Sequence, residues 1–169
     1  MLIFIAVSFM QKSARYLQNT SQPVPTSFQN EKTYSSSLIS FSKPEKAIVD
    51  SAPIEGGGNS VIVHLSGATS TSDIIEIQMT PVSLTPIQRI YDIMSAFGLR
   101  KNSATVGAQN IPAVEFKGSM NLGGKTLQQD VVVFEKNGNV YKFQMMYSAP
   151  FTNPSFESQF QRVLSTTSI

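Results

Sequence analysis

Residues 127–150 read LQQDVVVFEKNGNVYKFQMMYSAP, and their alternation sets the architecture of the chain. Two runs rich in β-branched and aromatic residues flank Asn137-Gly138. An Asn-Gly pair adopts the positive φ angles that a two-residue hairpin turn of type I′ requires. With the turn there, Phe134 stands opposite Tyr141, Val132 opposite Phe143, and Asp130 opposite Met145. Side chains alternate faces along a strand, so Val132, Phe134, Tyr141, Phe143, Met145 and Tyr147 share one apolar face. The other face mixes Val131, Val133 and Val140 with Gln129, Glu135, Lys142 and Gln144, and is only partly apolar. The adjacent Met145 and Met146 fall on opposite faces and are expected to fill space rather than ligate a metal together.

Downstream of the hairpin, Asn153 and Pro154 suit the start of a helix, in which Phe156, Phe160, Val163 and Leu164 recur at helical spacing. Upstream, Gly123-Gly124 is read as a turn, preceded by extended pieces at Thr105-Val106 and residues 113–120. Residues 85–98 predict the clearest helix. Thr85 is expected as N-cap with Gln88 completing a capping box, Pro86 suits the first helical position, and Gly98 suits a left-handed C-terminal cap. Ile87, Ile90, Tyr91, Met94 and Phe97 form the stripe that should face the sheet. Residues 74–79 and 61–65 read as strands and 67–72 as a break. Residues 53–58 read as a turn, 46–49 as the continuation of a hairpin, and 34–41 as a single strand ending before Pro44. Antiparallel strands with two separated helices predict an α+β fold: an antiparallel β-sheet with two helices packed on it as an α/β/α sandwich.

A chain of 169 residues that is 41% hydrophobic suits one domain with a real core. Only 14% of residues are charged and the net charge is +2, with Arg100-Lys101 the one adjacent basic pair, so nucleic acid is not an expected partner. With no cysteine, disulfides, thiolate catalysis and cysteine-ligated metals are all excluded. The first ten residues, MLIFIAVSFM, are apolar apart from Ser8. That run is too short to span a bilayer as a helix, which needs about twenty residues. It resembles the core of an export signal, although it lacks a basic start and a small-x-small cleavage site. A packed element of the domain, or an anchor on a membrane or partner, are the other readings. Residues 11–33 are polar, contain Pro23 and Pro25, and show no periodicity. The organisation read from the chain is therefore an apolar segment with an extended arm over 1–33, and a single domain over 34–169.

The chemically suggestive residues are isolated. Gly123-Gly124-Lys125-Thr126 contains the Gly-Lys-Thr of a phosphate loop, but Ser119 stands where that loop needs another glycine, and a strand rather than a helix follows. Gly56-Gly57-Gly58 has no lysine and no following helix. His64 is the one histidine; a triad would need a nucleophile and a carboxylate beside it, and Ser66 and Asp73 are near only in sequence. Zinc fails on ligand count, and the 11 acidic residues are too scattered for calcium. Glu115, Asp130 and Glu135 lie on neighbouring strands, which permits paired-carboxylate chemistry without pointing to it. No catalytic, cofactor-binding or metal residue is expected.

Two stretches resemble a known group. Residues 139–169, NVYKFQMMYSAPFTNPSFESQFQRVLSTTSI, are similar to the end of the PsbP / Mog1 / DcrB-like superfamily, with its Gly-x-Val-Tyr strand, Ser-Ala-Pro break and closing helix. Residues 34–49, YSSSLISFSKPEKAIV, resemble its opening hairpin. The chain departs from that pattern in having no Trp after the proline, where Ala47 sits nearby, and in ending Ser165-Thr166-Thr167. The resemblance implies an α/β/α sandwich and a non-enzymatic role; members serve as extrinsic photosystem subunits of the thylakoid lumen, as periplasmic proteins, or as the partner of a small GTPase. No functional residues carry over. The expected function is a non-enzymatic, extracytoplasmic accessory or assembly protein, in the periplasm or thylakoid lumen. It would dock on a larger protein complex, and membrane contact would be possible through the apolar segment. The alternative is a small hydrolase or ligand-binding enzyme using His64.

Overall fold

The computed structural model of the chain describes residues 30–65, 74–122, 124–148 and 154–169. Its central element is the expected hairpin, β8 (Lys125–Lys136) and β9 (Asn139–Ser148). Asn137 and Gly138 take φ of 50° and 72°, and the register pairs Phe134 with Tyr141, Val132 with Phe143, and Asp130 with Met145. The Phe134 and Tyr141 rings stack 5.1 Å apart.

Around this pair the chain builds a seven-stranded antiparallel sheet. Its other strands are β3 (Ile48–Pro53), β4 (Asn59–His64), β5 (Ile74–Pro81), β6 (Arg100–Val106) and β7 (Ile111–Leu122). The order across the sheet is β3-β4-β5-β9-β8-β7-β6. The chain therefore fills one half as a meander, crosses to the far edge, and returns strand by strand until β9 closes against β5. Helix α1 (Ile87–Ala96) makes that crossing and helix α2 (Pro154–Thr166) ends the domain.

The two helices lie on opposite faces because the faces differ as the alternation requires. One face gathers Val61, Val63, Ile75, Ile77, Met79, Val132, Phe134, Tyr141, Phe143 and Met145, and is covered by Phe160, Val163 and Leu164 of α2. A separate hairpin of β1 (Glu31–Ser35) and β2 (Ser40–Pro44) completes that cover with Ile39 and Phe41. The other face presents the smaller set Phe116, Val131, Val133 and Val140 to Ile90 and Met94 of α1, with Leu99 beside them. We call these the closed and the half-open face.

Several local expectations are corrected. Residues 34–41 are a hairpin, not one strand: the Ser36 hydroxyl accepts from the Leu38 and Ile39 amides and donates to the Ile39 carbonyl, turning the chain so that Tyr34 faces Phe41. β1 begins at Glu31, three residues inside the stretch read as arm, and Glu31 pairs with Arg162 of α2 at 2.9 Å. Thr85 caps nothing: Pro86, with ψ of 138°, is the N-cap, and Gln88 bonds Asp92 instead of closing a capping box. Gly98 does take the left-handed conformation after the helix, with φ of 74°. Phe97, placed by its spacing on the buried stripe, is 48% exposed: α1 ends at Ala96, and Phe97 follows as its C-cap. Residues 46–49 split between a turn and β3, and Pro53 closes β3 rather than opening the turn. Residues 1–29, Ser66, residues 67–72, Asp73, Gly123 and Asn153 lie outside the described residues.

Because Phe143 is fully buried, Phe143→Ala is expected to cost about 3–5 kcal/mol. Glu135→Ala, at an exposed position of the same hairpin, should stay within about 0.5 kcal/mol. Urea denaturation of the two variants checks the register, and equal costs would contradict it.

Candidate functional site

The closed face is apolar except at one end, where the register places Asp130 opposite Lys117 and next to Met145. The Asp130 side chain is 2% exposed. Lys117 Nζ lies 3.3 Å from its Oδ2, near enough for charge attraction but outside hydrogen-bond geometry, and both carboxylate oxygens are buried without a hydrogen-bond donor. Lys117 also reaches Glu157 of α2 at 3.2 Å, so the lysine ties the helix to the sheet. Glu115, two residues away on the same face of β7, accepts from Asn102 Nδ2 at 3.1 Å.

Burial is the main force on Asp130 and pushes its carboxyl up to about 7; Glu115 adds to the rise and Lys117 opposes it. Burial alone would lower the Lys117 ammonium, but Asp130, Glu157 and Glu115 together hold it above its ordinary value. Near neutral pH Lys117 is therefore charged, whereas Asp130 is partly protonated.

A cleft runs beside this cluster. A cavity of about 310 Å³ lies between α2 and β6, lined by Ala104, Glu115, Val132, Gln161 and Leu164, with Gly107 at its rim. Its shape depends on how the β6–β7 turn meets α2. Gly107 has φ of 71°, donates to the Leu164 carbonyl at 2.8 Å, and sits so close to the Thr167 carbonyl that a Cβ would collide with it.

The half-open face carries a second polar group. His64 Nε2 lies 3.2 Å from Asp50 Oδ2, a contact made by the β3–β4 pairing. His64 is largely buried and its Nδ1 has no partner, while the Asp50 side chain is 66% exposed. Glu76 accepts from Gln78 at 2.8 Å and from Ser60 at 3.5 Å. Beside it, burial holds the Lys142 ammonium below its ordinary value, with Glu76 opposing. Over this half, β3, β4, β5 and β9 present Ile48, Ile62 and Met146 among these polar groups, half-buried or exposed. α1 covers only the other half. Tyr91 faces β6 and β7, packing on Phe116 and under Lys101. Ile93 lies on the side of α1 away from Tyr91 and Phe97 follows the end of the helix; both are exposed.

Of the residues singled out from sequence, Glu115 and Asp130 share the closed face, while Glu135 points to the other. His64 meets Asp50, which the sequence reading passed over because the two are fourteen positions apart (64 − 50) and only strand register joins them. Gly124 and Lys125 belong to the turn and first residue of a strand, so the Gly-Lys-Thr motif has no following helix. The Lys117–Asp130–Glu157 cluster was missed. Its available signal was a carboxylate opposite Met145 on an otherwise apolar face. Among the described residues, no group of three or more acidic or histidine side chains is arranged for a metal ion.

No protein-family model matches the chain, and no curated protein matches it. Among solved structures it is similar to LpqN, involved in cell envelope biogenesis of Mycobacterium tuberculosis, at 13% identity over 83% of this chain and 85% of that one, with a TM-score of 0.47. It is also similar to PA94 from Pseudomonas aeruginosa, a protein of unknown function, at 10% identity over 78% and 94%, with a TM-score of 0.39.

Asp130 is the group whose pH dependence follows from its surroundings. Its folded-state pKa lies above that of an exposed aspartate, so its contribution is complete below about pH 4 and is lost as pH rises through about 7. Raising pH from 5 to 8 should therefore cost the protein roughly 2–3 kcal/mol through this group, at about 1.4 kcal/mol per unit. Asp130→Asn should remove most of that loss, as read by urea denaturation at the two pH values. An unchanged pH dependence in the variant would contradict the assignment.

Proposed function

We propose that the chain is a non-enzymatic accessory protein that acts outside the cytoplasm by docking on a larger protein complex. The observation that carries this reading is the unequal covering of the sheet. One face is sealed by α2 and the β1–β2 hairpin, whereas α1 covers only half of the other. The half left uncovered among the described residues offers Ile48, Ile62 and Met146 among paired polar groups, and Ile93 of α1 and Phe97 just past its end are exposed. Such a mixture of apolar anchors within a polar surround suits a protein partner. The polar groups there engage one another, His64 with Asp50 and Glu76 with Gln78 and Ser60, rather than converging on a cleft.

The extracytoplasmic location is supported by the apolar run at residues 1–10 and by the resemblance to the PsbP / Mog1 / DcrB-like superfamily. No described helix is long and apolar enough to cross a membrane. The His64–Asp50 pair is the one feature that favours the alternative, a small hydrolase using His64 as base.

Co-purification from membranes of the source cells separates the two readings. Wild type and His64→Ala should recover the same partner. Replacing both Ile93 and Phe97 with glutamate should lower recovery at least tenfold, and deleting residues 1–28 should weaken it. Loss of function in His64→Ala with full recovery by the double variant would favour the enzyme.

A further inference from the structure

The sheet has two edges, and they are not alike. β3 is a short edge that ends in Pro53 and carries Asp50, features that discourage another strand from pairing. β6 forms the other edge. Its charged residues, Arg100 and Lys101, sit at its first two positions, and the Lys101 ammonium is drawn over the Tyr91 ring at 4.8 Å on the half-open face. From Asn102 to Val106 the edge reads NSATV, with no charge and no proline. No described strand pairs with its outer side.

The direction of its backbone follows from its partner. Thr105 is paired with Pro112, which has no N–H to give. An antiparallel pair that exchanges no hydrogen bonds turns its backbone groups away from each other. Thr105 therefore directs its N–H and C=O outward, and alternation does the same for Ser103. Both residues are exposed. Ala104 between them faces the closed side, where the cavity opens between β6 and α2. The side chain of an added strand, opposite Ala104, would enter that cavity. There it would meet the Glu115 carboxylate and the Gln161 amide, with Asp130, Glu157 and the Lys117 ammonium nearby and Arg100 opposite Lys117 at the start of β6. Glu115, whose carboxylate lines the cavity and accepts from the uncharged Asn102 amide, favours a basic side chain there.

We infer that β6 is a strand-addition site: an extended segment of a partner protein pairs with Ser103–Thr105 and places a lysine or arginine in the cavity beside Glu115. This rests on the docking reading above and names one of its contacts.

The test is selection of random heptapeptides on phage against the full-length chain, followed by affinity measurement with the selected peptides. Enriched peptides should carry a basic residue at one fixed position, flanked by β-branched residues. Thr105→Pro removes only an outward N–H, and proline is tolerated at such an edge position. That variant should keep the wild-type far-ultraviolet circular dichroism and bind the peptides at least tenfold more weakly. Glu115→Gln should weaken them at least fivefold, and norleucine in place of the basic residue should abolish that sensitivity. The proposal is overturned if no peptides are enriched, if they lack a fixed basic position, or if Thr105→Pro binds them equally. It is also overturned if the chain self-associates through β6, seen as a concentration-dependent dimer that Thr105→Pro dissolves. If peptide selection fails while membrane co-purification succeeds, docking stands and the β6 site is wrong; if both fail, the docking reading falls as well.

Discussion

The turn at Asn137 and Gly138 holds two residues at positive φ and so fixes which side chains of β8 and β9 share a face. A slip of one residue would exchange Phe134, Tyr141 and Phe143 with Glu135, Lys142 and Gln144, reversing apolar and polar sides across the centre of the sheet. The strands on either side inherit that register, β5 through β9 and β7 through β8. So do the helices, since α2 can cover only the larger aromatic face and α1 only the smaller valine-rich one. The stacked Phe134 and Tyr141 rings reinforce the same pairing.

That register also produces the candidate site. It puts Asp130 in line with Val132 and Phe134, inside the closed face, where a carboxylate is costly unless it is paired or protonated. Lys117 offsets part of the cost, and its pairing with Glu157 joins α2 to β7. Across the sheet, α1 covers Phe116, Val131, Val133 and Val140, and no described helix lies over β3, β4, β5 and the Met146 end of β9. Thus one alternation pattern gives a sealed face with a charged end and a second face with room for a partner.

Much of this was legible because its causes are local. Asn-Gly restricts φ, and alternation over β8 and β9 is long enough to be unambiguous. The spacing of Phe160, Val163 and Leu164 fits a helix, and all three are buried. What was not legible depends on partners distant in sequence or on side chains standing in for usual signals. Ser36 turns the β1–β2 hairpin without glycine or asparagine, so residues 34–41 looked continuous. Phe97 fits the helical stripe by spacing, yet α1 ends beneath it and leaves it exposed. The pairings of His64 with Asp50 and Lys117 with Asp130 need strand register, and that of Lys117 with Glu157 needs a helix docked from the end of the chain.

Lysines mark the surfaces that the docking proposal distinguishes. Lys142 lies on the uncovered half-face and Lys101 on β6, while Lys32, Lys43 and Lys46 lie on the opposite side with the β1–β2 hairpin. Amine crosslinking in the source cells, read by mass spectrometry, therefore reports which surface meets a partner. Docking through the uncovered half-face predicts intermolecular links from Lys142, and strand addition at β6 predicts them from Lys101. Links to other proteins confined to Lys32, Lys43 and Lys46 would contradict both.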